Sequence, residues 1–198
     1  SQKDKSGDDD LAALLKKAYT QAGTPLPFLA PVHRLDRNTS GLILLAKTSE
    51  MAGQLTEWLK DKDIQRSYLA LVKGDPGEQG RYEFPLRKNE KSNEVFVDPK
   101  GDEAITEFRR LQKLGNSALV SVRLLTGRSH QIRVHFAHAG HALIGDKKYA
   151  KKPWSEIFHR PALHSAEITL PDGKKFSAAP PVDFLELLKK LGGNVSNL

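Results

Sequence analysis

The sequence predicts an α+β fold, a largely antiparallel mixed sheet with flanking helices. Two observations lead there: strand-like segments outnumber helical ones, and the strands arrive as hairpin pairs. The opening SQKDKSGDDD is polar and acidic, so residues 1–10 are expected to fray. From Leu11 the apolar positions Leu11, Leu14, Leu15, Ala18 and Tyr19 recur at helical spacing. Asp8, Asp9 and Asp10 supply the carboxylates that a helix N-terminus favours, and Gly23, Pro25 and Pro27 end the helix.

Leu42 to Ala46 (LILLA) reads as a strand buried on both faces. Ser49 is placed to cap a helix running to Lys60, with Met51, Leu55, Trp58 and Leu59 on its inner face. Gln65 to Lys73 is a strand stopped by Gly74. Residues 75–103 alternate turn signals with the short pieces RYEFPL and EVFVD, the pattern of an exposed hairpin or flap. Strands follow at Ala104–Leu111 and Ala118–Leu125, and Ser129 is placed to cap a helix to Ala139. The remainder is the loop GDKKYAKKPW, a hairpin turning at Pro171-Asp172-Gly173, and a final helix from Val182 to Leu191. With 198 residues, no internal repeat and no low-complexity linker, a single domain over 1–198 is expected.

Composition narrows the chemistry. Cysteine is absent, which excludes disulfides, thiolate nucleophiles and cysteine-based zinc sites. Thirty-one Lys plus Arg against 24 Asp plus Glu leave a net charge of +7, which favours a polyanionic partner. No apolar run approaches a membrane span and no signal-peptide pattern opens the chain, so a soluble, cytoplasmic protein is expected; the charge alone leaves RNA, DNA and a membrane surface open, and the expectation carried forward is a monomer with no membrane partner.

Two dense patches carry the candidate chemistry. In PVHRLDRNTSGLILLAKT, residues 31–48, Asp36 lies between Arg34 and Arg37 just before a turn and an apolar run. Such a carboxylate either caps the turn and pairs with a neighbouring arginine, or is a nucleophile or general base kept ionised by one. The second patch, LLTGRSHQIRVHFAHAGHALIGDKKYA, holds Arg128, His130, Gln131, Arg133, His135, His138 and His141 within 14 residues. A helix from Ser129 would put His130 and Arg133 near one face and Gln131, His135 and His138 on another. A strand-to-helix junction flanked by arginines suits a bound phosphate or carboxylate. The histidine spacing lacks the paired Glu of HExxH, so no metal is expected. Tyr68 is either a sheet-face aromatic or a stacking platform for a base. The stretch Lys147, Lys148, Lys151, Lys152, Trp154 is a solvated loop or a backbone-binding patch.

HRLDRNTSGLILLAK (33–47), SYLALVKG (67–74), the 124–150 patch and LHSAEITLP (163–171) together resemble the RluA-type pseudouridine synthases, in that order and over nearly the whole chain. The resemblance implies that family's catalytic-domain architecture and isomerisation of uridine to pseudouridine in RNA, with no cofactor. The basic flap and loop are nearest to the large-subunit (23S) ribosomal RNA enzymes; a tRNA-directed enzyme of the family and a non-catalytic RNA-binding module are the alternatives. By resemblance Asp36 is the catalytic aspartate, attacking either the ribose or the uracil ring. Tyr68 packs against the flipped base, Arg133 (or else Arg128) pairs with the aspartate, and Arg34 enters the RNA to displace the base. Arg37, Arg128, His130, Lys147 and Lys148 complete the expected RNA-contacting set. The family normally opens with a strand and a KPxG segment that SQKDKSGDDD does not match, so a catalytic domain lacking its N-terminal strand and any S4-like domain is expected.

Overall fold

The computed structural model describes residues 10–196, and residues 1–9, where fraying is expected, lie outside them. Among the described residues there are four helices: α1 (Leu11–Gln21), α2 (Ser49–Lys60), α3 (Gln131–His138) and α4 (Val182–Lys190). The strands are β1 (Ala30–Pro31), β2 (Ser40–Gly41), β3 (Leu45–Ala46), β4 (Gln65–Lys73), β5 (Gln79–Glu83), β6 (Leu86–Asn89), β7 (Glu94–Val97), β8 (Ile105–Leu114), β9 (Ser117–Leu124), β10 (Leu163–Thr169) and β11 (Lys175–Ser177). None of the described helices is long and apolar enough to cross a membrane.

The chain divides into two compact units. One comprises the residues up to Arg37 together with Ile43–Ile64. Its α1 starts at Asp10, whose carboxylate accepts from the Ala13 N–H at 2.9 Å, so the acidic leader supplies a true cap. β1 and β3 pair antiparallel, Ala30 against Ala46. α2 is capped by Thr48 rather than Ser49, and of its expected inner face only Leu55 is fully buried, Met51 being exposed.

The other unit, Asn38–Leu42 with residues from Gln65 onward, holds the main sheet in the order β11-β10-β4-β9-β8-β5. All neighbours on that path are antiparallel, and β2 joins β10 in parallel. β4 and β9 lie in the middle, covered on both faces, and so read as near-continuous apolar runs with Ala70, Leu71, Val72, Leu119, Val120 and Val122 all buried. On one face Leu71 and Leu119 pack with Ile144, Phe158 and the α4 residues Phe184, Leu187 and Leu188. On the other, Phe108 of β8 meets Phe136 of α3 and Tyr82 of β5, with centroids 5.4 and 5.0 Å apart.

Three expectations change. LILLA is not one buried strand: Gly41 pairs with β10 and Leu45 with β1, and the residues between are half-buried. The cause lies at Gly41, whose φ of +108° turns the chain away from β10 after Leu42 donates to the Ser165 carbonyl at 3.0 Å. Segment 75–103 contains the expected exposed hairpin, β6–β7, but is not all hairpin or flap. β5 is an edge strand of the main sheet, and the β6–β7 hairpin buries Leu86 and Val95 against Ala104 and Val134 of α3. β8 runs past Leu111 to Leu114, because a bulge between Arg110 and Gln112 turns Leu111 outward and breaks the alternation that marks a strand.

Candidate functional site

In the first unit the HRLDR segment forms an irregular loop, with Arg34 and Arg37 exposed and Asp36 half-buried. Its stem is closed twice. Val32 donates to the Leu44 carbonyl at 3.2 Å, and the Leu44 N–H donates to His33 Nε2 at 2.9 Å. That second bond requires Nε2 to be unprotonated, so the His33 ring is neutral in this geometry. His33 fixes the stem that presents Asp36, a role the sequence does not announce. A histidine at the head of a charged cluster was the available signal.

In the second unit the loop's exit is sewn into the sheet. Ser40 Oγ lies 3.0 Å from His164 Nδ1, Arg160 reaches the Asn38 carbonyl at 3.4 Å, and a Cβ at Gly41 would fall 2.1 Å from the Ser165 carbonyl oxygen. One row of paired residues crosses the sheet here: Gly41, Ser165, Tyr68, Val122, Phe108 and Gly80. Directly paired residues share a sheet face, so Tyr68 faces the side covered by α3, where Phe108 meets Phe136. Tyr68 itself is 5% exposed.

α3 carries Arg133 on that same face of the sheet. The guanidinium is buried and forked onto a fully buried carboxylate, with Nε and Nη2 of Arg133 donating to Asp146 at 2.7 and 2.8 Å. Asp146 Oδ1 also accepts the Lys148 and Tyr149 N–H groups at 3.0 and 3.3 Å. The Tyr149 ring lies 5.0 Å from the guanidinium carbon, and its hydroxyl accepts from the Val95 N–H and stands 2.7 Å from His130 Nδ1. Arg133 is therefore held on two sides, by a carboxylate and by an aromatic face. Asp146, unmarked by the sequence reading, is the residue that fixes its fork.

The entry to α3 differs from expectation. His130 is the N-cap residue, at φ 54° and with no side-chain cap, and Ser129 does not cap the helix. Gln131 secures this turn instead. Its Oε1 accepts from Thr126 Oγ1 and the Arg128 N–H at 2.8 and 3.0 Å, and its Nε2 donates to the Ile105 carbonyl and Thr106 Oγ1, both at 3.0 Å.

The remaining candidates are dispersed. Arg128 donates to the Glu103 carbonyl at 2.9 Å and lies 3.6 Å from Asp102. Lys148 reaches the Asn93 carbonyl on the β6–β7 turn, and Lys147 is exposed beside Ser155, Phe158 and His159. The clustered histidines separate: His135 Nε2 pairs with the Phe84 carbonyl, His138 packs on the Phe84 ring and His141 Nδ1 pairs with the Lys73 carbonyl. Among the described residues no group of three or more His, Cys, Asp or Glu is placed to hold a metal ion.

Comparison with known proteins fits this arrangement. The family model described as "RNA pseudouridylate synthase" matches residues 3–138. "Ribosomal large subunit pseudouridine synthase D" of Zymomonas mobilis is 37% identical over 175 residues, 81% of this chain and 55% of that protein. An "Uncharacterized RNA pseudouridine synthase" of Helicobacter pylori is 36% identical over 183 residues, 89% of this chain and 74% of that protein. The chain thus spans little more than half the length of the Zymomonas relative. Among solved structures, "Human RNA Pseudouridylate Synthase Domain Containing 4" shares the fold with a TM-score of 0.73 at 22% identity, covering 92% of this chain and 82% of that one.

Proposed function

Since the chain belongs to the RNA pseudouridylate synthase family, we propose that it isomerises uridine to pseudouridine in large-subunit ribosomal RNA, in the cytoplasm and as a monomer, with Asp36 as the nucleophile. The observation that carries this reading is the register of the main sheet. Gly41, five residues after Asp36, sits in the same row as Tyr68 with only Ser165 between them. The segment that follows the aspartate's loop thus joins the row that bears the proposed base platform.

The reaction breaks the bond from the ribose carbon to uracil N1 and makes one from that carbon to uracil C5. The C5 proton leaves and N1 gains one, so atoms balance within one nucleotide. A carboxylate can attach and depart in such a sequence, as in glycosyl transfer. Asp36 supplies it, and Arg133, its fork set by Asp146, is the arginine we assign to orient it. The uridine must first leave its stack, at a cost of a few kcal/mol. Exposed Arg34 fills the vacated place, while Tyr68 packs against the displaced ring. Arg37, Arg128, His130, Lys147 and Lys148 are the further residues we assign to RNA contact.

The test is Asp36→Asn, assayed for pseudouridine in an unmodified large-subunit ribosomal RNA transcript and, in parallel, in transfer RNA. The amide keeps the size but cannot attack, so turnover is expected to fall by at least about 10³-fold with RNA affinity kept. Retained isomerisation in this variant defeats the mechanism. A wild-type chain that binds RNA but forms no pseudouridine reduces it to a binding module.

A further inference from the structure

Four arginines of the sheet-bearing unit are buried or half-buried, and three of them meet a carboxylate. Arg133 is forked onto Asp146, Arg160 onto Asp183 at 2.8 and 2.9 Å, and Arg110 lies 2.6 Å from Asp75. Arg66 is the exception. It is half-buried on β4, its Nε is buried with no hydrogen-bond partner, and its sole side-chain hydrogen bond among the described residues is a long one, 3.5 Å from Nη2 to the Thr126 carbonyl. A guanidinium drawn partly out of water without a countercharge is costly, and it persists where an anion from outside completes it.

The surroundings say which anion. Strand alternation puts Arg66 on the face of Tyr68, two residues and about 7 Å along the same strand. Across the sheet Arg66 pairs with Leu124, at the end of β9, where the chain turns through Thr126 and Gly127 toward α3. Gly127 leaves the guanidinium open: a Cβ there would come within 3.1 and 3.2 Å of Nη1 and Nη2. The planar fork matches a phosphate's paired oxygens, and the chain's +7 charge favours a polyanion. We propose that Arg66 binds a backbone phosphate at the target nucleotide, anchoring the RNA strand while the base lies against Tyr68. This rests on the RNA-isomerase reading and adds a binding residue to it.

The experiment compares wild type, Arg66→Gln and Arg66→Lys in the full chain. Affinity for a short uridine-rich single-stranded RNA is measured across a salt series, and kcat and KM are measured on the unmodified ribosomal transcript. Loss of one phosphate contact lowers the salt slope by about 0.7 for a single strand and weakens binding roughly 5- to 10-fold at moderate salt. For Arg66→Gln the expected result is that drop in slope with KM raised, kcat within about twofold of wild type and the urea midpoint unchanged or higher, since no internal pair is lost. Arg66→Lys, a point charge without the fork, restores the slope and only part of the affinity. An unchanged slope and Kd in Arg66→Gln overturns the proposal, as does a lowered urea midpoint or a loss of kcat at constant Kd. Binding is read without turnover, so a wild-type chain that binds but does not isomerise defeats the proposed function while Arg66 is still judged by its slope.

Discussion

Replacing Gln131 by leucine probes how much of the structure hangs on one amide. The side chain is 2% exposed and makes four hydrogen bonds, to Thr126, Arg128, Ile105 and Thr106. At about 1 kcal/mol each the bonds amount to about 4 kcal/mol. Two partners keep another contact: Thr126 Oγ1 still accepts from the Ile105 N–H at 2.8 Å, and the Ile105 carbonyl still accepts from Leu125 at 3.2 Å. The Arg128 N–H and the fully buried Thr106 hydroxyl lose theirs, and each stranded group adds roughly 1 kcal/mol or more. Leucine regains about 1.5 kcal/mol by burying apolar surface. The net loss is about 4–5 kcal/mol, which at a urea slope of about 2 kcal/mol per molar lowers the midpoint by about 2 M. Circular dichroism through a urea titration measures it. A midpoint within about 0.3 M of wild type would show that the Gln131 bonds do not hold the β9–α3 turn.

Other consequences are open to the same instruments. Gly41→Ala sets a Cβ against the Ser165 carbonyl oxygen at a φ of +108° and is expected to cost about 3 kcal/mol or more; equal thermal stability would refute the close approach. His33→Ala removes the acceptor of the Leu44 N–H, and kcat is expected to fall on the order of 10-fold for a stability loss near 1 kcal/mol; full turnover would remove His33 from the positioning of Asp36. Burial pushes the imidazoles of His135 and His164 below their ordinary 6.5. The unfolded chain then binds protons before the folded one does, so stability is present above about pH 6.5 and declines as the pH falls below it. Urea midpoints from about pH 7.5 down to 5 test this, and a midpoint that stays flat or rises on acidification refutes it.

How far the sequence could be read varies by residue, for physical reasons. β4 was legible to the residue because both its faces are covered, so an apolar run bounded by Gln65 and Gly74 matches the strand. LILLA deceived because an apolar run does not reveal which partner each part will pair with, and Gly41 divides it between β10 and the first unit. Ser129 looked like a cap because caps are local signals, whereas the Gln131 amide that holds the turn spends two of its bonds on residues about 25 positions upstream. Asp146 was hidden for a similar reason: its partner is 13 residues away across a loop. The only hint was an acid closing the apolar run ALIG just before two lysines. Asp36, Tyr68 and Arg133 stood out from their surroundings as candidates, but the choice among their possible roles came from the resemblance, and those roles are the ones under proposal.

The two ends of the main sheet bear on how this molecule behaves in crowded solution. An open strand edge is a template for pairing with another chain. Here β5 closes one end with Gln79, Arg81 and Glu83 outward, Arg81 bridging to Glu83 and to Glu107 of β8. At the other end β11 is only three residues long and begins at Lys175, which lies 3.4 Å from Glu167. A short edge and a charge-laced one both resist edge-to-edge addition, so the sheet is guarded at both ends against polymerising with itself.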